Sequence, residues 1–245
     1  MGGKVILITG GSRGLGSKLV KRLSAENENT VYFTYLNSEK KAAELAAQFN
    51  NVTALKCDQR SESQIIDCVS KIDSLHGRLD VLVNNACNSF KPCELLSTDW
   101  AAFQDCFDVN VKGAYFFTRE AAKIMKRQGA GKIINVLSSY VLNVPPEKLS
   151  FYITAKYALL GISRAAAVEL GKWGVTVNMI SPGLMATDLS GHLPKKYFDM
   201  QAQKHPMKRM ASTDDAADVV EFLISDKAKF LNGTNIPVNG GEVFL

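Results

Sequence analysis

Short runs of valine, isoleucine and leucine recur along the chain, separated by longer stretches whose apolar positions follow helical spacing. The runs are Lys4–Thr9 (KVILIT), Val31–Tyr35, Val52–Cys57, Val81–Asn84, Lys132–Leu137, Val175–Ile180 and Asn235–Val238. Without polar alternation, such runs suit strands covered on both faces. Between the first two, the pattern predicts a helix from about Gly14 to Ala25. Ser38 stands where an N-cap belongs for an alanine-rich helix running through Phe49. Strand–helix alternation with right-handed crossovers gives an α/β fold, a doubly wound sheet of about seven parallel strands with helices on both faces. No linker or repeat breaks the series, so residues 1–245 read as a single domain. One late stretch, about 187–209 (TDLSGHLPKKYFDMQAQKHPMKR), reads as irregular. A substrate lid would sit there, and an ordinary surface excursion fits the pattern equally well.

Composition narrows the classes of function. A hydrophobic content of 46% and a charged content of 22% are ordinary for a soluble globular chain. The net charge of +5 is scattered rather than clustered, which argues against nucleic acid and leaves room for an acidic partner or a phosphorylated ligand. The five cysteines form no CxxC pair and no metal-ligand spacing with the three histidines, so no metal site is expected and a reducing compartment is. With no apolar run of membrane-spanning length and little chain before the first strand to hold a signal peptide, the expectation is a cytoplasmic protein without a membrane partner.

Between the first strand and its helix lies Thr9-Gly10-Gly11-Ser12-Arg13-Gly14-Leu15-Gly16. Glycines here permit a tight turn and let a pyrophosphate approach backbone N–H groups at a helix N-terminus. A glycine cluster alone is weak evidence, but one placed after the first strand of a strand–helix series is much stronger. The spacing TGxxxGxG resembles the short-chain dehydrogenase/reductase family in its single-domain branch, and the resemblance covers nearly the whole chain. It implies a Rossmann-type sheet and a nicotinamide dinucleotide held along Gly10, Ser12, Arg13, Gly14, Leu15 and Gly16. An NAD-binding relative would carry a carboxylate at the end of the second strand; here Tyr35 is followed by Leu36, Asn37 and Ser38. Arg13 stands where relatives preferring NADPH carry a basic residue against the 2′-phosphate, so NADPH is expected over NADH. The resemblance further places Asp58 and Gln59 by the adenine. It sets Asn85 and Ala86 beside the ribose and Pro182, Gly183, Met185 and Thr187 around the nicotinamide amide. Cys87 replaces the glycine that relatives carry after Asn-Asn-Ala, which makes it a thiol-sensitive position.

Tyr152 and Lys156 form a YxxxK pair whose spacing puts both on one helical face. A buried ammonium lowers a neighbouring phenol's pKa, which brings Tyr152 towards acid/base work; Lys156 is expected to do this while gripping the ribose. Tyr157 lacks a matched lysine and reads as packing. A hydroxyl must also polarise the carbonyl. Counting back from Tyr152 favours Ser139, whereas counting forward along the preceding strand favours Ser138. Loops accept insertions more easily than strands, so Ser138 is chosen. Asn110 matches the fourth catalytic position, where relatives kink a helix and hold a water against the lysine.

In length and ending the chain most resembles the 3-oxoacyl-(acyl-carrier-protein) reductases. That likeness implies NADPH-dependent reduction of a carrier-linked 3-oxoacyl thioester, as in fatty-acid, polyketide or unusual lipid synthesis. The alternatives are a reductase of a free small alcohol, sugar or ring ketone and, remotely, a catalytically silent cofactor sensor. Relatives that grip an acidic carrier place basic residues where this chain has Gly129 and Trp173; Lys126, Arg127 and Lys172 lie close enough to substitute. A small-residue stripe (Ala155, Ala158, Gly161, Ala165, Ala166) and the neighbouring helix, Val111–Arg127, correspond to subunit interfaces in relatives, so a homotetramer is expected.

Overall fold

The computed structural model describes residues 3–243, apart from Leu189 and His192, and of Lys204 the backbone alone. Seven strands are present: β1 (Val5–Ile8), β2 (Thr30–Tyr35), β3 (Val52–Lys56), β4 (Val81–Asn84), β5 (Gly131–Val136), β6 (Val175–Pro182) and β7 (Asn235–Val238). All pair in parallel, in the order β3-β2-β1-β4-β5-β6-β7. The apolar runs are strands for the reason the pattern gives, since alternate side chains enter different layers. Ile6 and Ile8 of β1 pack with Leu19, Leu23, Val220 and Leu223 on one face. Leu7 packs with Ile65, Ile72, Phe117 and Met125 on the other. Each such side chain contributes about 1.5–3 kcal/mol relative to leaving it exposed.

The helices divide accordingly. On the first face lie α1 (Gly14–Ser24), α2 (Glu39–Ala46) and α8 (Thr213–Ile224), with the Arg22 guanidinium on the Glu221 carboxylate at 2.7 and 2.6 Å clamping α1 to α8. On the second lie α3 (Glu62–His76), α5 (Gly113–Gln128) and α6 (Ser150–Gly171), with the shorter α4 (Trp100–Phe107) packed against α6. Two ends follow familiar capping chemistry. Ser61 accepts from Gln64 N–H at the start of α3, and Ser212 with Asp215 forms a reciprocal capping box on α8.

Three sequence expectations need correction. Ser38 occupies the N-cap of α2 but makes no side-chain cap bond, because its backbone (φ −97°, ψ 51°) departs from the extended form that aims a capping oxygen at the first turn. The stretch 187–209 is not irregular throughout. It contains α7 (Lys195–Lys204), whose helix formers are hidden in the pattern by Gly191 and Pro194 before it and His205-Pro206 after it; Leu189 and His192 of that stretch lie outside the described residues. Tyr157 faces away from Lys156 but is 48% exposed rather than packed.

Strand order reverses between β1 and β4, whose carboxyl ends meet at the centre of the sheet. In open α/β sheets this is where a crevice forms.

Candidate active site

The floor of the crevice is built by backbone fit. Gly10 has φ +65°, and a Cβ there would come within 2.8 Å of Ala86 Cα. A Cβ on Gly16 would meet the Gly10 carbonyl oxygen at 2.3 Å. Only hydrogen side chains let β1, α1 and the end of β4 approach this closely. Thr9 Oγ1 accepts the N–H groups of Asn85 and Ala86, both at 3.0 Å, and Asn85 Nδ2 donates to the carbonyls of Thr9 and Gly10 at 2.9 and 3.2 Å. The Asn85 side chain is thus engaged in holding the glycine turn. Thr9, the first residue of the TGxxxGxG motif, is its counterpart.

A buried polar chain holds the strands that carry the chemistry. Asn84 Nδ2 donates to Asn135 Oδ1 at 2.8 Å and to Thr118 Oγ1 at 3.1 Å, and Asn135 Nδ2 donates to Ser163 Oγ at 2.7 Å. The chain ties β4 and β5 to α5 and α6. It fixes Ser138, just past β5, against Tyr152 and Lys156 on the first turns of α6.

These side chains meet in one cleft of about 580 Å³ that runs from the glycine turn to the start of α6. Gly10, Ser12, Arg13, Gly14, Leu15, Tyr35, Asn37, Ser38, Asp58, Gln59, Asn85 and Ala86 line one end. Ser138, Tyr152, Lys156, Pro182, Gly183 and Met185 line the other, and Thr187 lies between the two, against Gly14 of the glycine turn. Gly16 lies behind the turn as packing, and Asn110 is buried beside the cleft rather than on its wall. Asp58 accepts from Arg60, backbone and guanidinium, at 3.0 and 3.2 Å. Ser190 Oγ pins the strip after β6 by donating to the Met185 carbonyl at 2.6 Å and accepting from Thr187 N–H at 3.0 Å.

At the inner end Ser138 and Tyr152 both line the cleft, and Ser138 Oγ accepts from Tyr140 N–H at 3.3 Å. Ser139, the next residue, is buried and donates to a Glu242 carboxylate oxygen at 3.4 Å. Lys156 Nζ donates to the Val136 carbonyl at 2.9 Å and lies 5.6 Å from the Tyr152 ring centre. Asn110 sits in a π-helical stretch, Asp108–Lys112, that joins α4 to α5. Its Nδ2 donates to the Cys106 carbonyl and to Asn88 Oδ1, both at 3.0 Å, while its own Oδ1 is buried without a protein partner.

The electrostatics differ from the expectation in one respect. Tyr152 is held above the ordinary phenol value, chiefly by burial and then by Cys87, with the Ser138 hydroxyl working the other way. The lysine does not reverse this in the chain alone, because burial pushes Lys156 itself down, against the opposing effect of Cys87 and Cys106. Burial also raises the Cys87 thiol, with the Lys156 charge working against it.

Aromatic residues that the motifs did not reveal form the mouth. The Phe90 ring lies 5.0 Å from that of Tyr152 and 5.4 Å from that of Phe151. Tyr140, Pro146, Leu149, Leu193 and Tyr197 complete the wall. Tyr140 is pushed up to about 12 by burial, then by Tyr197 and Glu242.

The cations proposed for a carrier lie elsewhere. Lys126 and Lys172 stand over the Trp173 ring at 4.2 and 4.8 Å, and Arg127 pairs with Asp73 at 2.7 Å. All three precede β5 or β6, at the sheet end opposite Ser138, about 20 Å away along six strand residues.

Together, the parallel order, the glycine turn at its switch point and the Ser138–Tyr152–Lys156 cluster place this chain in the short-chain dehydrogenase/reductase family of oxidoreductases. The family model described as enoyl-(acyl carrier protein) reductase matches residues 10–242. The chain is 33% identical over 242 residues to a 3-oxoacyl-(acyl-carrier-protein) reductase of Staphylococcus epidermidis, covering 97% of this chain and 98% of that one. It also resembles the crystal structure of a 3-ketoacyl-(acyl-carrier-protein) reductase from Brucella melitensis complexed with NADH, with a TM-score of 0.91, 29% identity and 99% of each chain covered. A short-chain dehydrogenase from Burkholderia cenocepacia in complex with NADP is similar as well, with a TM-score of 0.91, 30% identity and 98% of each chain covered. Among the described residues no helix is long and apolar enough to cross a membrane.

Proposed function

We propose that this protein uses NADPH to reduce a carbonyl to a hydroxyl, with a 3-oxoacyl thioester as the substrate. The observation that carries the reading is the convergence of the Ser138 and Tyr152 hydroxyls beside the buried Lys156 at the inner end of the cleft. Two hydroxyl donors beside an ammonium suit an oxygen that gains negative charge as the reaction proceeds. Tyr152, held protonated by its burial, gives that oxygen its proton; Ser138 polarises the carbonyl and shares the developing charge.

The residues present fit a dinucleotide. Gly14, at φ +53°, has only the Thr187 side chain near its missing Cβ, at 3.5 Å, which leaves the turn open towards the cleft. Arg13 supplies a cation there, and β2 ends in Tyr35 without a carboxylate to repel a 2′-phosphate. When bound, the nicotinamide supplies the hydride. Lys156 would hold the ribose, and Pro182, Gly183 and Met185 would bound the nicotinamide end, with Thr187 between it and the glycine turn.

A second reading, reduction of a free apolar ketone, is favoured by one observation. Lys126, Arg127 and Lys172 lie at the far end of the sheet, so an acidic carrier at the mouth of the same chain would not meet them. NADPH oxidation over a panel of carbonyls separates the two. Turnover of a 3-oxoacyl thioester, carrier-linked or on a short surrogate, above that of free ketones supports the first reading; turnover of free ketones alone overturns it.

The assembly we propose is a homotetramer built on α5 and α6. Tyr115 and Tyr157 are exposed there, and Gly161 on α6 has nothing within 4 Å of a Cβ. A monomeric mass by light scattering would count against it. The strip after β6, through α7, we assign as the substrate lid, since Thr187, Leu193 and Tyr197 reach the cleft wall.

A further inference from the structure

At the end of the cleft remote from Tyr152, the Asp188 carboxylate stands between two cations that the chain brings from different elements. Its Oδ2 lies 4.0 Å from Arg13 Nε, on the glycine turn, and 3.5 Å from Lys41 Nζ, on the first turn of α2. All three side chains are about half exposed, so no core packing forces them together. What joins them is Asp188, at the rim of the cleft, since Lys41 is itself outside the cleft lining. Arg13 and Asp188 line the cleft, and so do Asn37 and Ser38, the latter at the N-cap of α2 without capping it. A spot with two converging cations, a hydroxyl and an amide, presently neutralised by a carboxylate, has the chemistry of a phosphomonoester site.

We infer that Asp188 is an internal competitor for the 2′-phosphate of the dinucleotide and that Lys41 is the second cation of that site, so that Arg13, Lys41 and Asp188 together set coenzyme choice. The inference rests on the NADPH reading above and adds to it the residues that decide the preference. A phosphate monoester carries more charge than a carboxylate, about −1.5 to −2, and offers three acceptor oxygens, so it displaces Asp188 from the cation pair. NADH lacks the group and leaves the Asp188 contacts intact. Because Asp188 adjoins Thr187, on the strip assigned as the lid, the exchange also frees that strip at its root only when the phosphorylated coenzyme is bound.

The test is calorimetric binding of 2′,5′-ADP and of 5′-AMP to the full chain at low ionic strength, for the wild type and for Lys41→Met, Asp188→Asn and Arg13→Met. The wild type is expected to prefer 2′,5′-ADP. Lys41→Met should weaken 2′,5′-ADP by about three- to tenfold, the range of a partly exposed charge-assisted contact, and leave 5′-AMP unchanged. Asp188→Asn should tighten 2′,5′-ADP by about threefold, again without effect on 5′-AMP, and salt should erase the gain. If Lys41→Met and Asp188→Asn keep the wild-type preference while Arg13→Met abolishes it, this inference falls and the NADPH reading stands. Equal binding of both nucleotides by the wild type would sink the NADPH reading and this inference with it. Parallel changes in 5′-AMP and 2′,5′-ADP affinity would mark Asp188 and Lys41 as general supports of the cleft and overturn the proposal.

Discussion

Ser139 donates its hydroxyl to the Glu242 carboxylate at 3.4 Å, so the second serine of the pair is drawn to the C-terminal segment while Ser138 lines the cleft with Tyr152. Ser138 is extended (φ −161°, ψ 149°), Ser139 opens the short 3-10 turn Ser139–Val141, and their hydroxyls meet different partners. Only one of them can share a carbonyl oxygen with Tyr152. Ser138→Ala should lower kcat by about 10²–10³-fold, the usual loss for one oxyanion donor. Ser139→Ala should stay within about threefold of wild type, since it gives up a single hydrogen bond to a charged group away from the reacting atoms. Steady-state kinetics on both variants, with thermal melts to check folding, decides between them; the reverse ranking would remove Ser138 from the site.

The pH dependence follows from the direction of the Tyr152 shift. A phenol held above its ordinary value remains protonated through neutral and mildly alkaline pH. Carbonyl reduction, which needs the proton, should therefore be flat there and decline only where Tyr152 ionises. Oxidation of the alcohol needs the phenolate and should climb with pH over the same interval. Tyr152→Phe should cost about 10²–10⁴-fold in both directions. Reduction that declines through pH 7 would show that bound coenzyme and Lys156 together overcome the burial.

Much of this site is local in the sequence, and what is not local was hidden. The strands announced themselves because two-sided burial demands unbroken apolar runs such as Lys4–Thr9. Tyr152 and Lys156 are legible because one helical turn fixes their relation. The count along β5 that favours Ser138 ends on a residue that lines the cleft, whereas Ser139 does not. Ser38 misled because capping depends on a backbone angle that residue identity does not set. α7 was masked by the turn formers around it. Phe90, Lys41 and Asp188 carry no motif at all. Their meaning comes from partners that the sheet brings together across long separations, Lys41 and Asp188 being 147 positions apart in the numbering.

The buried amide chain should be a stability element as well as a scaffold. Asn135→Ala removes the acceptor of Asn84 Nδ2 and the donor to Ser163, leaving buried polar groups short of partners. Such a loss costs about 1–3 kcal/mol for each stranded group. The melting temperature should fall by several degrees, about 2–4 °C per kcal/mol for a chain of this size. Because Asn135 is the β5 residue paired with Asn84, and β5 leads directly to Ser138, kcat should fall as well. A melting temperature unchanged by Asn135→Ala would show that water replaces the amide without loss.

Cys87 offers a chemical probe of the same region. Its thiol lines the cleft, donates to the Asn88 carbonyl at 3.5 Å and is held above the ordinary thiol value by burial. The thiolate is the reactive form, so alkylation by iodoacetamide near pH 7.5 should run well below the rate of a free cysteine. It should quicken with pH as the thiolate appears. Where alkylation does occur, the added group projects into the cleft beside Tyr152 and Lys156, and activity should be lost in step with labelling. NADP⁺ should slow both, because the resemblance places Ala86, the preceding residue, beside the ribose. Cys87→Ser controls for the other four cysteines, of which Cys57, Cys68 and Cys106 are buried and Cys93 half-buried. In that variant, inactivation by iodoacetamide should disappear even if Cys93 is modified. Labelling of Cys87 at the free-thiol rate, or inactivation that persists in Cys87→Ser, would place the sensitive thiol elsewhere.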